Sequence, residues 1–314
     1  VSPHLAGLAR ILKIRCGKYL SDPTRKPNPN NRTATESLFF HASCESLYYG
    51  EIDQVAENMD WNELSNFLKY DYFPGASSYQ NSPVLGVDWK LYYIMSEVTQ
   101  RSHRVPLSPA DSVLVERLEI ALDKYEGNIT LAMKDEKDDK AINCLQETKL
   151  YILATQILIF KTLQRKARTS DSRIRMLLRD ALDILKDLLI TWQCSAYFTW
   201  PLAVFSCAVQ TKEDMSFVRK TIEKVSLASY TGHVHRLLKA ADIFWKRFRI
   251  GESEDVEERE SEDEDEDLLD VLIYPRGMFG HPYLKTWKES DCLPTYEWNE
   301  PVKALEGVGV EETC

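Results

Sequence analysis

Apolar residues recur at every third or fourth position along most of the chain, the spacing of a helix buried on one face. His4–Cys16 sets Leu5, Leu8 and Leu12 on one stripe. Thr35–Tyr49 does the same with Leu38, Phe39, Ala42 and Leu47, and Trp61–Tyr70 predicts a short helix. Leu85–Arg101 carries Trp89, Tyr92, Tyr93, Met95 and Val98 at helical spacing. Between these elements, residues 21–33 and 71–83 are rich in Pro, Asn and Ser and predict loops. Ser108-Pro-Ala-Asp111 predicts a helix start: a capping hydroxyl, a proline in the first turn and an acid three residues on. The helix that follows places Leu114, Leu118, Ile120 and Ala121 inward and is expected to end near Gly127.

Two long helices are predicted over Lys140–Ala167 and Asp171–Ile190. The short polar break at Arg168–Ser170 makes them antiparallel neighbours. The end of the second is nearly continuous in apolar residues, which predicts a central position. Next, Trp200–Val209 has no polar face, so it too belongs inside a bundle; Thr199 is its expected cap, and Pro201 is harmless in a first turn. Thr211 starts another helix, in which Met215, Val218, Ile222 and Val225 form one stripe. His233–Phe248 follows with Val234, Leu237, Leu238, Ala241, Phe244 and Trp245. No segment shows strand alternation. The fold class is therefore all-α, a multi-helix bundle or array of antiparallel helices with an acidic insert and an irregular aromatic tail.

Composition agrees. Of 314 residues only 12 are Gly, too few for the turns of a many-stranded sandwich or barrel. Hydrophobic content of 44% and charged content of 28% are ordinary for a globular chain, large enough here to bury a core unaided. Seven scattered cysteines predict reduced thiols in the cytosol or nucleus. The sequons at Asn31 and Asn128 are expected to be chance matches, since no secretory signal opens the chain. No apolar run is long enough to span a bilayer. Val1 in place of Met predicts a fragment of a longer protein.

Charge divides the chain into parts. The formal net charge is −10, yet residues 252–267 alone hold twelve acids and one base, Arg259. The rest is close to neutral and has no net field to attract or repel nucleic acid. The expected organisation is a helical domain over 1–250, a disordered acidic linker over 251–267 and a tail over 268–314. Ser253 and Ser261 precede acids and suit an acid-directed kinase, which would add roughly −1.5 to −2 charges at each. Asp267-Leu268-Leu269-Asp270-Val271-Leu272-Ile273-Tyr274 sets acids beside bulky apolar groups. Two readings stand: an activation segment whose apolar residues stay available to a partner groove, or a segment that packs back on the domain. The tail beyond carries Phe279, Tyr283, Trp287, Tyr296 and Trp298, a density of aromatic anchors that favours docking.

Catalytic and metal chemistry finds no foothold in the pattern. His233 and His235 are two apart and so point to different helix faces. His41 and Cys44 share a face but lack the third and fourth ligands that zinc needs. No phosphate-binding glycine loop, metalloprotease helix or nucleophile elbow occurs. The expectation is no enzyme and no cofactor or metal in this chain. The basic clusters Arg165-Lys166-Ala-Arg168 and Lys246-Arg247-Phe-Arg249 sit where helices end, and there cations complement the dipole.

Four segments, in order, resemble one family. His4-Leu-Ala-Gly-Leu-Ala-Arg-Ile-Leu12 resembles an early helix of the fungal-specific transcription factor regulatory domain. Ser82-Pro-Val-Leu-Gly-Val-Asp-Trp-Lys90 and the helix after it resemble the family's SPLLG loop and following helix. Trp200-Pro-Leu-Ala-Val-Phe-Ser-Cys-Ala208 is similar to its WPLFIAG-type helix, and Gly232–Arg247 to its terminal helix. The matched segments lie within residues 4–248, so the acidic run and the tail fall beyond them.

The resemblance implies an all-α regulatory domain of a zinc-cluster transcription factor acting in the nucleus on RNA polymerase II transcription. The implied partners are the transcription machinery or co-regulator proteins, with a small apolar ligand and a homodimer as further expectations. The zinc cluster's six-cysteine spacing is absent. Zinc and DNA contact are thus expected only in an N-terminal module outside this chain. The alternative is a non-enzymatic helical scaffold that binds proteins or peptides.

Overall fold

The computed structural model describes residues 3–20, 28–50, 68, 73, 81–82, 84, 88–191, 198–228, 232–248, 250 and 266–284. In chain order these form α1 (Pro3–Leu20), α2 (Pro29–Tyr49), α3 (Trp89–Ser102), α4 (Pro109–Asp135), α5 (Asp139–Leu163), α6 (Ser172–Thr191), α7 (Thr199–Ser206), α8 (Lys212–Ala228) and α9 (Gly232–Arg247). Three short 3-10 turns follow: η1 (Leu268–Ile273), η2 (Met278–Gly280) and η3 (Pro282–Leu284). The fold is all-α, and no strand occurs among the described residues.

Several helix starts follow from capping chemistry. Ser108 Oγ accepts from the Asp111 N–H at 3.1 Å with Pro109 in the first turn, as the sequence predicts. Asp88 and Asp138 cap α3 and α5 in the same way, and Thr211 Oγ accepts from the Asp214 N–H at 3.1 Å at the start of α8. Other ends differ from the sequence expectation. Helix α2 begins at Pro29, inside the predicted loop, because Asn28 Oδ1 accepts from the Asn30 N–H and Pro29 supplies a preset first-turn φ. Helix α4 runs through Gly127 to Asp135, and its inward stripe is Val115, Leu118, Leu122 and Ile129. Ile120 is instead 70% exposed. An exposed interior glycine costs only about 1 kcal/mol against alanine, too little to stop a helix that Ile129 still anchors. Helix α7 is shorter than predicted, and Thr199 lies within it without acting as its cap. Of the short helix expected over 61–70, only Leu68 falls among the described residues; it is helical and buried.

The centre of the bundle is α5, not α6. Every residue from Leu150 to Thr162 is buried, and α5 packs against α3, α4, α6, α7 and η1. Helix α6 turns Arg175, Met176, Arg179, Asp183, Lys186 and Asp187 to solvent, so it lies at the side of the bundle and not at its centre. The all-apolar α7 does sit inside, with all eight residues buried among α2, α5, α8 and α9. Trp200 stacks on Tyr151 at 6.4 Å between ring centres, and Tyr151 meets Tyr92 at 5.2 Å. The indole N–H of Trp245 on α9 donates to Ser206 O at 2.7 Å, tying the end of α7 to its neighbour. Half-buried Glu147 on α5 is pushed up to about 7 by desolvation, so its carboxyl is held near neutrality at the edge of the core.

Candidate functional site

Residues 266–284 lie in a strap across the ends of α2, α3, α5 and α9, and this is where charge and core meet. The strap begins with a capping box. Asp267 Oδ1 accepts from the Leu269 N–H at 3.0 Å, and Asp270 Oδ2 accepts from the Asp267 N–H at 2.7 Å. That reciprocal cap folds Leu268–Ile273 into one tight turn. Its apolar side chains enter the core: Leu268 is 1% exposed, Leu269, Val271 and Leu272 are 0%, and Ile273 is 7%. The segment that the sequence leaves as either available or docked is docked here, and these side chains are not offered to a partner. Asp267 and Asp270 face the other way, onto the turn between α5 and α6.

On that turn the same two acids meet their partners. Lys161, at the end of the buried stretch of α5, is 1% exposed on its side chain. Its ammonium donates to Arg165 O and Ala167 O, both at 2.8 Å, and pairs with Asp270 Oδ1 at 2.8 Å. All three of its protons are thereby used, which a buried ammonium requires. Asp267 is held by Thr169: its Oδ1 accepts the Thr169 N–H at 3.0 Å and its Oδ2 accepts the hydroxyl at 3.1 Å. Lys161, Asp270, Asp267 and Thr169 thus form one continuous latch. Beside it opens a cleft of about 750 Å³, rimmed by Arg165, Arg168 and Tyr274.

Further along, the strap is bound through its backbone. Ser102 Oγ donates to Leu272 O at 3.4 Å, and His103 Nδ1–H donates to Tyr274 O at 2.7 Å. His103 is buried, and desolvation lowers its pKa, so the neutral ring makes this bond. At Gly277 the strap meets the end of α2 backbone to backbone. Gly50 has φ +74° and Gly277 φ +69°, and a Cβ on Gly277 would lie 2.3 Å from Gly50 N. Only glycine permits both the left-handed conformation and that approach. Phe279 then stacks on Tyr48 at 4.7 Å.

The strap closes on its own start. His281 Nε2 lies 3.4 Å from Glu266 Oε1, and the Tyr283 hydroxyl donates to Glu266 Oε2. Burial lowers the His281 pKa more than Glu266 raises it. Arg247 of α9 sits 4.7 Å over the Tyr283 ring. The expectation that the aromatic tail docks concerns Phe279 and Tyr283 here, while Trp287, Tyr296 and Trp298 lie outside the described residues, as do Ser253, Ser261 and acidic residues 251–265.

His233, considered as a ligand from sequence, does other work. The His233 ring stacks on Tyr48 at 5.8 Å, and burial lowers its pKa to about 4. Among the described residues no three His, Cys, Asp or Glu side chains are grouped to hold a metal ion. Cys44 and Cys207 are buried thiols, with Cys207 pushed up to about 12 by burial, the environment of inert packing cysteines. No described helix is long and apolar enough to cross a membrane.

The described residues form a close-packed helical domain whose polar clusters knit its helices together. The family model of the fungal-specific transcription factor domain matches residues 3–272, and the chain belongs to that family. No curated protein and no solved structure matches it. Membership assigns a role in transcriptional regulation, implies action in the nucleus and speaks for a non-enzymatic function. The match also extends the resemblance read from residues 4–248: it continues across the acidic run and takes in Leu268–Leu272. Packing of η1 against α5 gives the physical reason, since those residues complete the same core.

Proposed function

We propose that this chain is the regulatory domain of a fungal zinc-cluster transcription factor that controls RNA polymerase II transcription in the nucleus. DNA is reached through a zinc-bearing module outside the chain, and output passes through co-regulators or the transcription machinery. In this reading Asp267–Tyr274 is the responsive element. Docked, it completes the core; released, it presents Leu268, Leu269 and Ile273 among acids to a partner groove. A co-regulator or a small apolar ligand that prefers one state shifts the balance by its differential affinity. The observation that carries the reading is an apolar turn beside an acidic run, seated in the core and fastened by a polar latch at the edge of a domain of this family.

A reporter assay tests it. Residues 250–280 fused to a foreign DNA-binding domain are expected to activate transcription. Alanine at Leu268, Leu269 and Ile273 together is expected to abolish the signal, and fusion of the whole chain to give at least a fivefold weaker one. A silent 250–280 fusion, or equal activation by segment and whole chain, contradicts the proposal.

A further inference from the structure

We infer that Thr169 is a phosphorylation site for a kinase that selects basic residues ahead of its acceptor, and that its modification holds residues 266–284 undocked. This rests on the reading of the strap as the element that changes state.

Three of the four residues before Thr169 are basic: Arg165, Lys166 and Arg168. All three are exposed, on the turn that joins α5 to α6. A short exposed turn with cations on the N-terminal side of a hydroxyl suits the acidic cleft of such a kinase. In the docked state the hydroxyl itself is occupied, because Thr169 is only 9% exposed and its Oγ1 donates to Asp267 Oδ2 at 3.1 Å. The kinase therefore reaches it only when the latch opens.

Modification then acts against closing. The γ-phosphoryl group of ATP passes to Thr169 Oγ1, ADP leaves, and the hydroxyl proton goes to the kinase's base. The hydroxyl donor to Asp267 Oδ2 is gone, only the Thr169 N–H is left to that carboxylate, and a group of roughly −1.5 to −2 charges stands where it must return. Asp267 is also the cap of η1, so a carboxylate kept from Thr169 carries the capped turn Leu268–Ile273 away with it. The phosphate has better partners nearby in Arg165 and Lys166 at the rim of the cleft. A group that binds only the open state shifts the equilibrium toward it. The cluster considered from sequence as a helix-end complement thus gains a second use as recognition sequence and phosphate clamp.

The test incubates the whole chain with ATP and the catalytic subunit of a basic-directed kinase, and maps the phosphate by mass spectrometry. Phosphate is expected on Thr169, at least fivefold faster in the Asp267→Asn variant, whose latch is weakened. In the modified chain, amide hydrogen exchange over Leu269–Ile273 is expected to run at least tenfold faster. Phosphate on Ser170 alone, phosphate on neither hydroxyl, or unchanged exchange after modification at Thr169 each overturns the inference. Should Asp267→Asn not fold, Thr169→Glu is read by exchange alone: tenfold acceleration with retained helical circular dichroism supports it, and no change overturns it. None of these readouts involves transcription, so their failure is distinct from failure of the reporter assay.

Discussion

Alanine at Gly277 is expected to detach the strap and to destabilise the domain by about 4 kcal/mol or more, a size that single substitutions seldom reach. The new Cβ would lie 2.3 Å from Gly50 N and 2.5 Å from both Tyr48 C and Tyr49 N. All three are backbone atoms at the end of α2, and the Gly50 N–H is itself bonded to Ser46 O at 2.9 Å, so the neighbour has little room to yield. The φ of +69° adds strain for any residue with a side chain. Urea unfolding of the two chains measures the loss. Alanine at Gly127 is the control: nothing lies within 4 Å of its added Cβ, and the helix gains by about 0.5–1 kcal/mol. A loss under about 1 kcal/mol at Gly277 would mean that the strap does not meet α2 in this way.

The second large effect is expected at Asp270. Its replacement by alanine leaves the Lys161 ammonium 1% exposed and without its carboxylate, a change that costs about 3–5 kcal/mol where buried pairs are broken from one side. Lys161→Met is expected to cost about 1–3 kcal/mol, because the stem still fills its place while Arg165 O and Ala167 O lose a donor. The double variant is expected to be more stable than the sum of the two losses predicts, by about 1 kcal/mol or more, since the second change removes the charge the first one stranded. Strict additivity in the double-mutant cycle would remove the latch from the account. The asymmetry has a cause in exposure: Asp270 keeps 24% of its side chain open to the cleft, and Lys161 keeps almost none.

Most helices are legible because they bury one face, and one-sided burial writes its period into the sequence. Trp200–Ser206 was legible for the complementary reason, since a segment without a polar face has no place but the inside. The misplaced ends share a different cause. At Asn28-Pro29 the residues that mark a loop are also those that start a helix, and only the structure distinguishes them. The centre is hidden by polar residues: Leu150–Thr162 is buried all round, yet Thr155, Gln156 and Lys161 interrupt its apolar run, while the end of α6 is more continuously apolar.

The strap was half legible. Asp267 and Asp270, three apart ahead of an apolar run, carry a capping-box signal that the charge of the preceding run obscured. Lys161 gave a hint too, as a lone cation closing an apolar stretch of helix. What no local pattern holds is the pairing itself: Thr169 and Asp267 are 98 residues apart in the chain. Gly50 and Gly277 are ordinary turn glycines until the fold brings their backbones together.

Hydrogen exchange of the unsubstituted chain at neutral pH tests the central claim most directly. Completion of the core by residues 268–273 predicts that the amides of Leu269–Ile273 exchange at least a hundredfold more slowly than an unfolded chain of the same sequence. Exchange of those amides at unfolded-chain rates, while Leu150–Thr162 of α5 stays protected, would show a segment that never docks and would contradict the account.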